Sequence, residues 1–258
     1  MNLPEKSAAS DPLPDRSSVD QAPLVSRAQL WVDRSPPPDG AWQMAIDEAL
    51  FLTAAQPVLR FYQWLRPEVT FGFFTPLAEV HASALPLTRR WTGGGIVEHG
   101  TDLTFSLAIP RSHLPALPAG ESYRLIHQAL AAALSATGRL QVRAAPSETV
   151  ARSAAERGLG ASPGACFSKP VAWDVIEESD GTKIAGGAQR RTRQGLLHQG
   201  SVRLSEALRD FSHPWLTDFA ERLAGSISVV GDPGSEVRVL AEDLRQTRYL
   251  HSAWHARF

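Results

Sequence analysis

Residues 89–110 read RRWTGGGIVEHGTDLTFSLAIP, an arginine pair, three consecutive glycines and then an alternating apolar run. Glycine loses more backbone entropy than any other residue in a regular element. A run of three therefore marks a loop with unusual dihedrals, or one that something else approaches closely. The bare N–H groups of Gly93, Gly94 and Gly95 can lie against an acyl chain or cradle a phosphate, and Arg89 and Arg90 can pair with an anion. A glycine-rich hairpin without a ligand satisfies the same residues. No Gly-Lys-Ser/Thr follows, which excludes a Walker loop. LTFSLAIP (103–110) reads as a strand, whereas a dinucleotide fingerprint needs a helix at that point.

Working outward, AWQMAIDEALFLTA (41–54) places apolar residues along a helical face and carries Asp47 and Glu48 within it. VLRFYQWL (58–65) and VTFGFF (69–74) read as neighbouring strands, and AQLWVD (28–33) as a short one. GESYRLIHQALAAALSATG (120–138) is a strong helix, with Glu121 near its start and Gly138 at its end. Residues 144–165 form an Ala-, Gly- and Ser-rich loop. VAWDVIEESDGTKIAGGAQRR then predicts a hairpin on the Asp180-Gly181 turn, followed by a strand, GLLHQGSVRL (195–204). The rest is mostly helical, except around SISVVGDPGSE. Helices and strands interspersed without regular βαβ units predict an α+β fold around a mixed or antiparallel sheet.

Of the 258 residues, 43% are hydrophobic and 21% charged, which suits a globular protein with a sizeable core. Length admits one large domain or two small ones. The reading adopted is a disordered tail at 1–25, rich in Pro, Ser and Asp, and a single domain at 26–258. A net charge of -1 argues against a generally basic nucleic-acid surface. The QRRTRQ run (189–194) fits solvent or an acidic protein surface better than nucleic acid. No apolar run spans a bilayer, and the N-terminus lacks the apolar core of a signal peptide. With Cys166 as its one cysteine, the chain fits a reducing cytoplasm.

Two further elements carry chemistry. Lys183 sits just past the hairpin turn, where a solvated charge is the ordinary reading. Gly186, Gly187 and Ala188, however, open space on that strand for a ligand backbone. Cys166, in SPGACFSKP, is either an inert buried hydrophobe or a thiol that a nearby ammonium draws toward thiolate.

The helix QMAIDEAL, the strands LRFYQWLRPEVTFGFF, the loop RRWTGGGIVEHGTDLTFSLAIP and the hairpin DGTKIAGGAQRRTRQGLLHQGSV follow one another in an order that resembles the lipoate–protein ligase A family. That family shares its catalytic fold with biotin ligases and lipoyl or octanoyl transferases. A GRGR-type loop is absent, which disfavours biotin. The resemblance runs from about residue 28 to 204. It implies an enzyme that passes an octanoyl or lipoyl group to a lysine of a lipoyl domain or glycine cleavage H protein. It also implies that Arg89, Arg90, Thr92, Gly93, Gly94 and Gly95 lie over the acyl chain or acyl-adenylate, and that His99 matches the histidine after that loop. By the same resemblance, Lys183 meets the acyl carbonyl or adenylate phosphate.

The ACFSKPVAWDV segment is similar to the cysteine-using octanoyltransferases, which implies Cys166 as nucleophile, acyl carrier protein as donor and no cofactor. The alternatives are an ATP- and Mg-dependent ligase, an octanoyl amidotransferase between lipoyl proteins, and a non-catalytic acyl-binding protein. The chain departs from the family at His198-Gln199-Gly200, where Gln-His-Gly is usual, and at Gly187, where serine is common.

Overall fold

Alternation along residues 102–110 builds the centre of the larger of two sheets. The structure is a computed structural model that describes residues 22–35, 37, 39–80, 83–146 and 171–257. Its strands are β1 (Ala28–Val32), β2 (Val58–Tyr62), β3 (Glu68–Phe71), β4 (Leu87–Arg89), β5 (Ile96–His99) and β6 (Asp102–Pro110), then β7 (Val142–Ala144), β8 (Val175–Glu177), β9 (Lys183–Thr192), β10 (Gly195–Arg203) and β11 (Ile227–Val230). The helices are α1 (Gly40–Thr53), α2 (Ala119–Ala136), α3 (Glu206–Arg209), α4 (Trp215–Leu223), α5 (Ser235–Leu244) and α6 (Ser252–His255).

The larger sheet runs β11-β1-β2-β6-β10-β9-β8-β7. Its β11-β1-β2 edge is parallel and the remainder antiparallel, so the fold is α+β around a mixed sheet. Residues two apart on a strand share a face. Leu103, Phe105, Leu107 and Ile109 of β6 therefore join α2 and α4 in one core, where Phe61, Phe105, Trp215 and Phe219 pack their rings together. Burying each such side chain contributes roughly 1.5–3 kcal/mol. Ala108 and Leu197 face the other way, onto α1 and α5. Helix α1 is buried on nearly every side, and the Asp39 carboxylate caps it by accepting from Trp42 N at 2.8 Å.

One expectation fails here. β3 does not neighbour β2, because both edges of β2 are already taken by β1 and β6. It pairs with β4 and β5 in a second, three-stranded sheet instead. Gly72, just past β3, abuts the glycine loop so closely that a Cβ there would lie 1.8 Å from the Gly94 carbonyl oxygen. Gly94 itself holds φ +85, a left-handed value that glycine adopts without strain. The tail reading at 1–25 falls largely on residues outside the described set.

Candidate active site

Where the smaller sheet meets the polar face of the larger one, a cavity opens with an empty volume of about 410 Å³, mouth included. Gly186, Gly187 and Ala188 of β9 form part of its wall, with Gln199, Gly200 and Ser201 of β10, Met44 of α1, and Arg90, Thr70 and His99 from the region of the smaller sheet. Small residues on β9 leave the space; bulky strand formers would fill it.

One wall is a polar chain. His99 Nδ1 lies 2.7 Å from Asp102 Oδ2, and His99 Nε2 lies 2.8 Å from Thr70 Oγ1. Thr70 Oγ1 in turn accepts from Arg90 Nη1 at 2.8 Å. Trp64 stacks on the imidazole at 3.9 Å between centroids. Burial pushes the Asp102 carboxyl up, but attraction to His99 and hydrogen bonds from His99, Ser201 and Gly100 outweigh it and hold it at about 2. Arg90 also donates to the carbonyls of Gly93 and Gly95, at 3.0 and 2.9 Å, which ties the glycine loop to this chain.

A second wall rests on Asp47. Its carboxylate accepts from Gln199 Nε2 (2.7 Å), Ser106 Oγ (2.6 Å), Tyr62 Oη (3.0 Å) and Arg60 Nη1 (2.8 Å). Thr92 Oγ1 donates to Gln199 Oε1 at 2.7 Å. Gln199 thus links the loop to α1. His198, its neighbour on β10, points to the opposite face, where it stacks with Phe105. In this chain glutamine, not histidine, faces the cavity.

Lys183 is not a solvated charge. It is 5% exposed, and its Nζ pairs with Asp174, itself fully buried, at 2.8 Å. The ammonium packs directly over Gly186, where a Cβ would come within 2.6 Å of Nζ. A cation fixed against cavity-lining backbone in a low-dielectric setting can stabilise negative charge that develops on a bound carbonyl.

The structure therefore gathers Arg90, His99, Gly186, Gly187 and Ala188 around one space, with Lys183 packed against Gly186 just outside the lining and Thr92 supporting the wall through Gln199. Gly93, Gly94 and Gly95 lie beside it, Gly94 against Arg90 and Ala188. Arg89 turns away: fully buried, it donates to the carbonyls of Gly72, Phe73, Thr75 and His255. Cys166 lies outside the described residues. Sequence reasoning passed over Asp102, Thr70, Tyr62 and Asp174, and marked Gln199 only as a departure from the family pattern. Asp47 had left a signal, one of two adjacent carboxylates inside a largely apolar helix, as had Asp102, three residues after His99.

Beneath the sheet, on the α2 side, His127 and His198 are fully buried with ring centroids 5.3 Å apart. Burial holds His127 neutral down to about 3, against a slight opposing pull from the Trp173 backbone. Burial and His127 likewise push His198 well below its ordinary value. An unfolded His127 takes up a proton near 6.5, the folded one only near 3, so stability is lost as pH falls through that window. Between pH 6.5 and 5 the His127 contribution alone is expected to lower the unfolding free energy by about 2 kcal/mol. Urea melts of His127→Leu should show a shallower acid limb; a slope equal to the wild type's would refute this assignment.

The family described as Lipoyl protein ligase A/B catalytic domain matches residues 39–233. An octanoyltransferase LipM of Bacillus cereus is 33% identical over 176 residues, 64% of this chain and 61% of that protein. The LipM of Staphylococcus aureus is 34% identical over 176 residues, 64% of this chain and 62% of its own length. The chain thus spans about three fifths of the length of the curated relatives it matches. Protein Ta0514 of T. acidophilum, solved with bound lipoic acid, superposes with a TM-score of 0.64 at 21% identity, covering 90% of this chain and 100% of that one. A lipoate-protein ligase A bound with ATP gives 0.64 at 22%, covering 90% and 99%. At those identities the likeness to the solved structures is one of fold. No helix among the described residues is long and apolar enough to cross a membrane.

Proposed function

Because the chain belongs to the lipoyl protein ligase A/B catalytic-domain family, we propose that it is an octanoyltransferase working through a cysteine thioester. The observation that carries this reading is Lys183, a carboxylate-paired ammonium packed against glycine backbone at the wall of a cavity. Similarity to relatives named octanoyltransferase supports it.

The donor is octanoyl acyl carrier protein. The Cys166 thiolate attacks the thioester carbonyl; the new S–C bond forms as the carrier's thiolate leaves and takes up a proton. Lys183 and backbone N–H groups stabilise the oxyanion. The ε-amine of a lysine on a lipoyl domain or H protein then attacks the acyl-cysteine, forming the amide, releasing the Cys166 thiolate and shedding a proton. The donor already carries the acyl group activated as a thioester, so ATP is not required, and the acyl-cysteine splits one transfer into two easier steps. The reading places the protein in the cytoplasm, where both partners are found, with no nucleic acid or membrane involved.

Incubating the protein with octanoyl carrier protein and no acceptor should produce an octanoyl adduct on Cys166, detected by intact and peptide mass spectrometry. Cys166→Ala should lose both the adduct and transfer to an apo lipoyl domain. Modification of the domain from octanoate plus ATP, undiminished in Cys166→Ala, would replace this reading with that of an ATP- and Mg-dependent ligase. An octanoylated H protein serving as the better donor would identify an amidotransferase.

A further inference from the structure

We infer that Tyr123 is a positioning residue for acyl transfer, its hydroxyl tying the Asp174–Lys183 pair to the backbone of Gly187 at the cavity wall. This inference rests on the role given to Lys183 above. The outer edge of β9 is only partly paired by a strand. β8 covers that edge only near its start, pairing Ile176 with Lys183 and Val175 with Ala185 across a register irregularity. At Gly187 a side chain from α2 does what a strand would do. The Gly187 N–H donates to Tyr123 Oη at 3.1 Å, and the same oxygen lies 3.2 Å from the Gly187 carbonyl and 2.7 Å from Asp174 Oδ1.

A phenol has a single proton to give. Of the two acceptors, the carboxylate is nearer, and a charged acceptor makes the stronger bond. Tyr123 therefore accepts from Gly187 and donates to Asp174. The other carboxylate oxygen, Oδ2, accepts from Lys183 Nζ at 2.8 Å and from Val171 N at 2.6 Å. A continuous path results: Gly187 amide, Tyr123 hydroxyl, Asp174 carboxylate, Lys183 ammonium. The phenol ring is held in place by stacking on His127 at 4.1 Å. Tyr123 does not line the cavity; it fixes two groups that bear on it, the ammonium beside Gly186 and the Gly187 backbone. Without the hydroxyl, Asp174 loses one of its restraints and the ammonium gains freedom to leave the position it holds.

The test is Tyr123→Phe, which keeps the ring on His127 and removes only the oxygen. Two readouts are taken. Steady-state transfer from octanoyl carrier protein to an apo lipoyl domain should show kcat reduced about 10- to 100-fold with KM for the donor little changed, since misplacement of a catalytic group acts on the transition state. Separately, acetic anhydride labelling without substrate, read by peptide mass spectrometry with Lys6 as reference, should show Lys183 acetylated several-fold faster than in the wild type. Wild-type labelling of Lys183 together with wild-type kcat would overturn the inference. So would faster labelling with kcat unchanged, because Lys183 would then be loosened without consequence. If the wild-type protein transfers no octanoyl group, the functional reading fails, and the labelling arm still decides whether Tyr123 holds Lys183. Should Tyr123→Phe not fold, Asp174→Asn weakens the same path from its middle and is read in the same way.

Discussion

Lys183→Met is expected to lower kcat/KM for octanoyl transfer by about 10²- to 10³-fold, the effect of removing a preorganised oxyanion-stabilising charge. The same substitution leaves Asp174 fully buried without its cation. Breaking a buried pair from one side typically costs about 3–5 kcal/mol. Here the lower end is expected, because Tyr123 and the Val171 amide still donate to the carboxylate. A loss of rate in the single variant would thus mix chemistry with unfolding. The double variant Lys183→Met with Asp174→Asn separates them. Removing the orphaned charge should recover most of the unfolding free energy, measured by urea melts, while transfer stays at the single variant's level. A folded Lys183→Met protein with near-wild-type kcat/KM would remove the lysine from the mechanism.

Arg60→Met is expected to destabilise the protein by about 3–5 kcal/mol. Arg60 is 0% exposed and donates to Asp33 at 2.6 and 3.1 Å, to Asp47 at 2.8 Å and to Gln43. Burial disfavours its charge, but Asp47 and Asp33 more than hold it on. Its guanidinium also lies 4.1 Å from the centre of the Tyr62 ring and 5.0 Å from that of Trp31. Methionine fills the volume yet abandons two buried carboxylates at once. For a chain of this size the loss corresponds to a fall in Tm of roughly 10 °C. Arg60→Lys should recover little, since an ammonium cannot reproduce the fork that spans Asp33 and Asp47 together. Because Asp47 also holds Gln199 and Tyr62, the cavity wall should loosen in the same variant. A Tm within about 2 °C of the wild type's would show that the pair contributes little.

Much of the architecture was legible along the chain because it is local. Period-two alternation picked out β6 and β10, and helical spacing with chain-end signals picked out α1 and α2. The Asp180-Gly181 turn announced the β8–β9 hairpin, and Gly181 does hold a left-handed φ of +74. β4, β5 and β7 escaped notice, being three or four residues long with too little alternation to register. The family resemblance rested on the same ordered segments, and the family match from 39 to 233 agrees with it.

Nothing in the local pattern told two adjacent arginines apart. Arg89 lies on β4 with its guanidinium among backbone carbonyls, while Arg90, one residue on, turns to Thr70 and the glycine loop. Nor could a lysine beside a hairpin tip announce a buried carboxylate partner nine residues earlier.

The sequence by itself determined the longer strands and helices, where the glycines permit close approach, and which residue types could do chemistry. Periodicity and turn chemistry act over a few residues and need no partner. Only the tertiary structure decided that β3 joins a second sheet, that Gln199 and not His198 faces the cavity, and that Asp174 and Tyr123 hold Lys183. Each of those depends on which strand edges are already occupied and which charges share a low-dielectric interior, conditions that exist only once distant segments have packed.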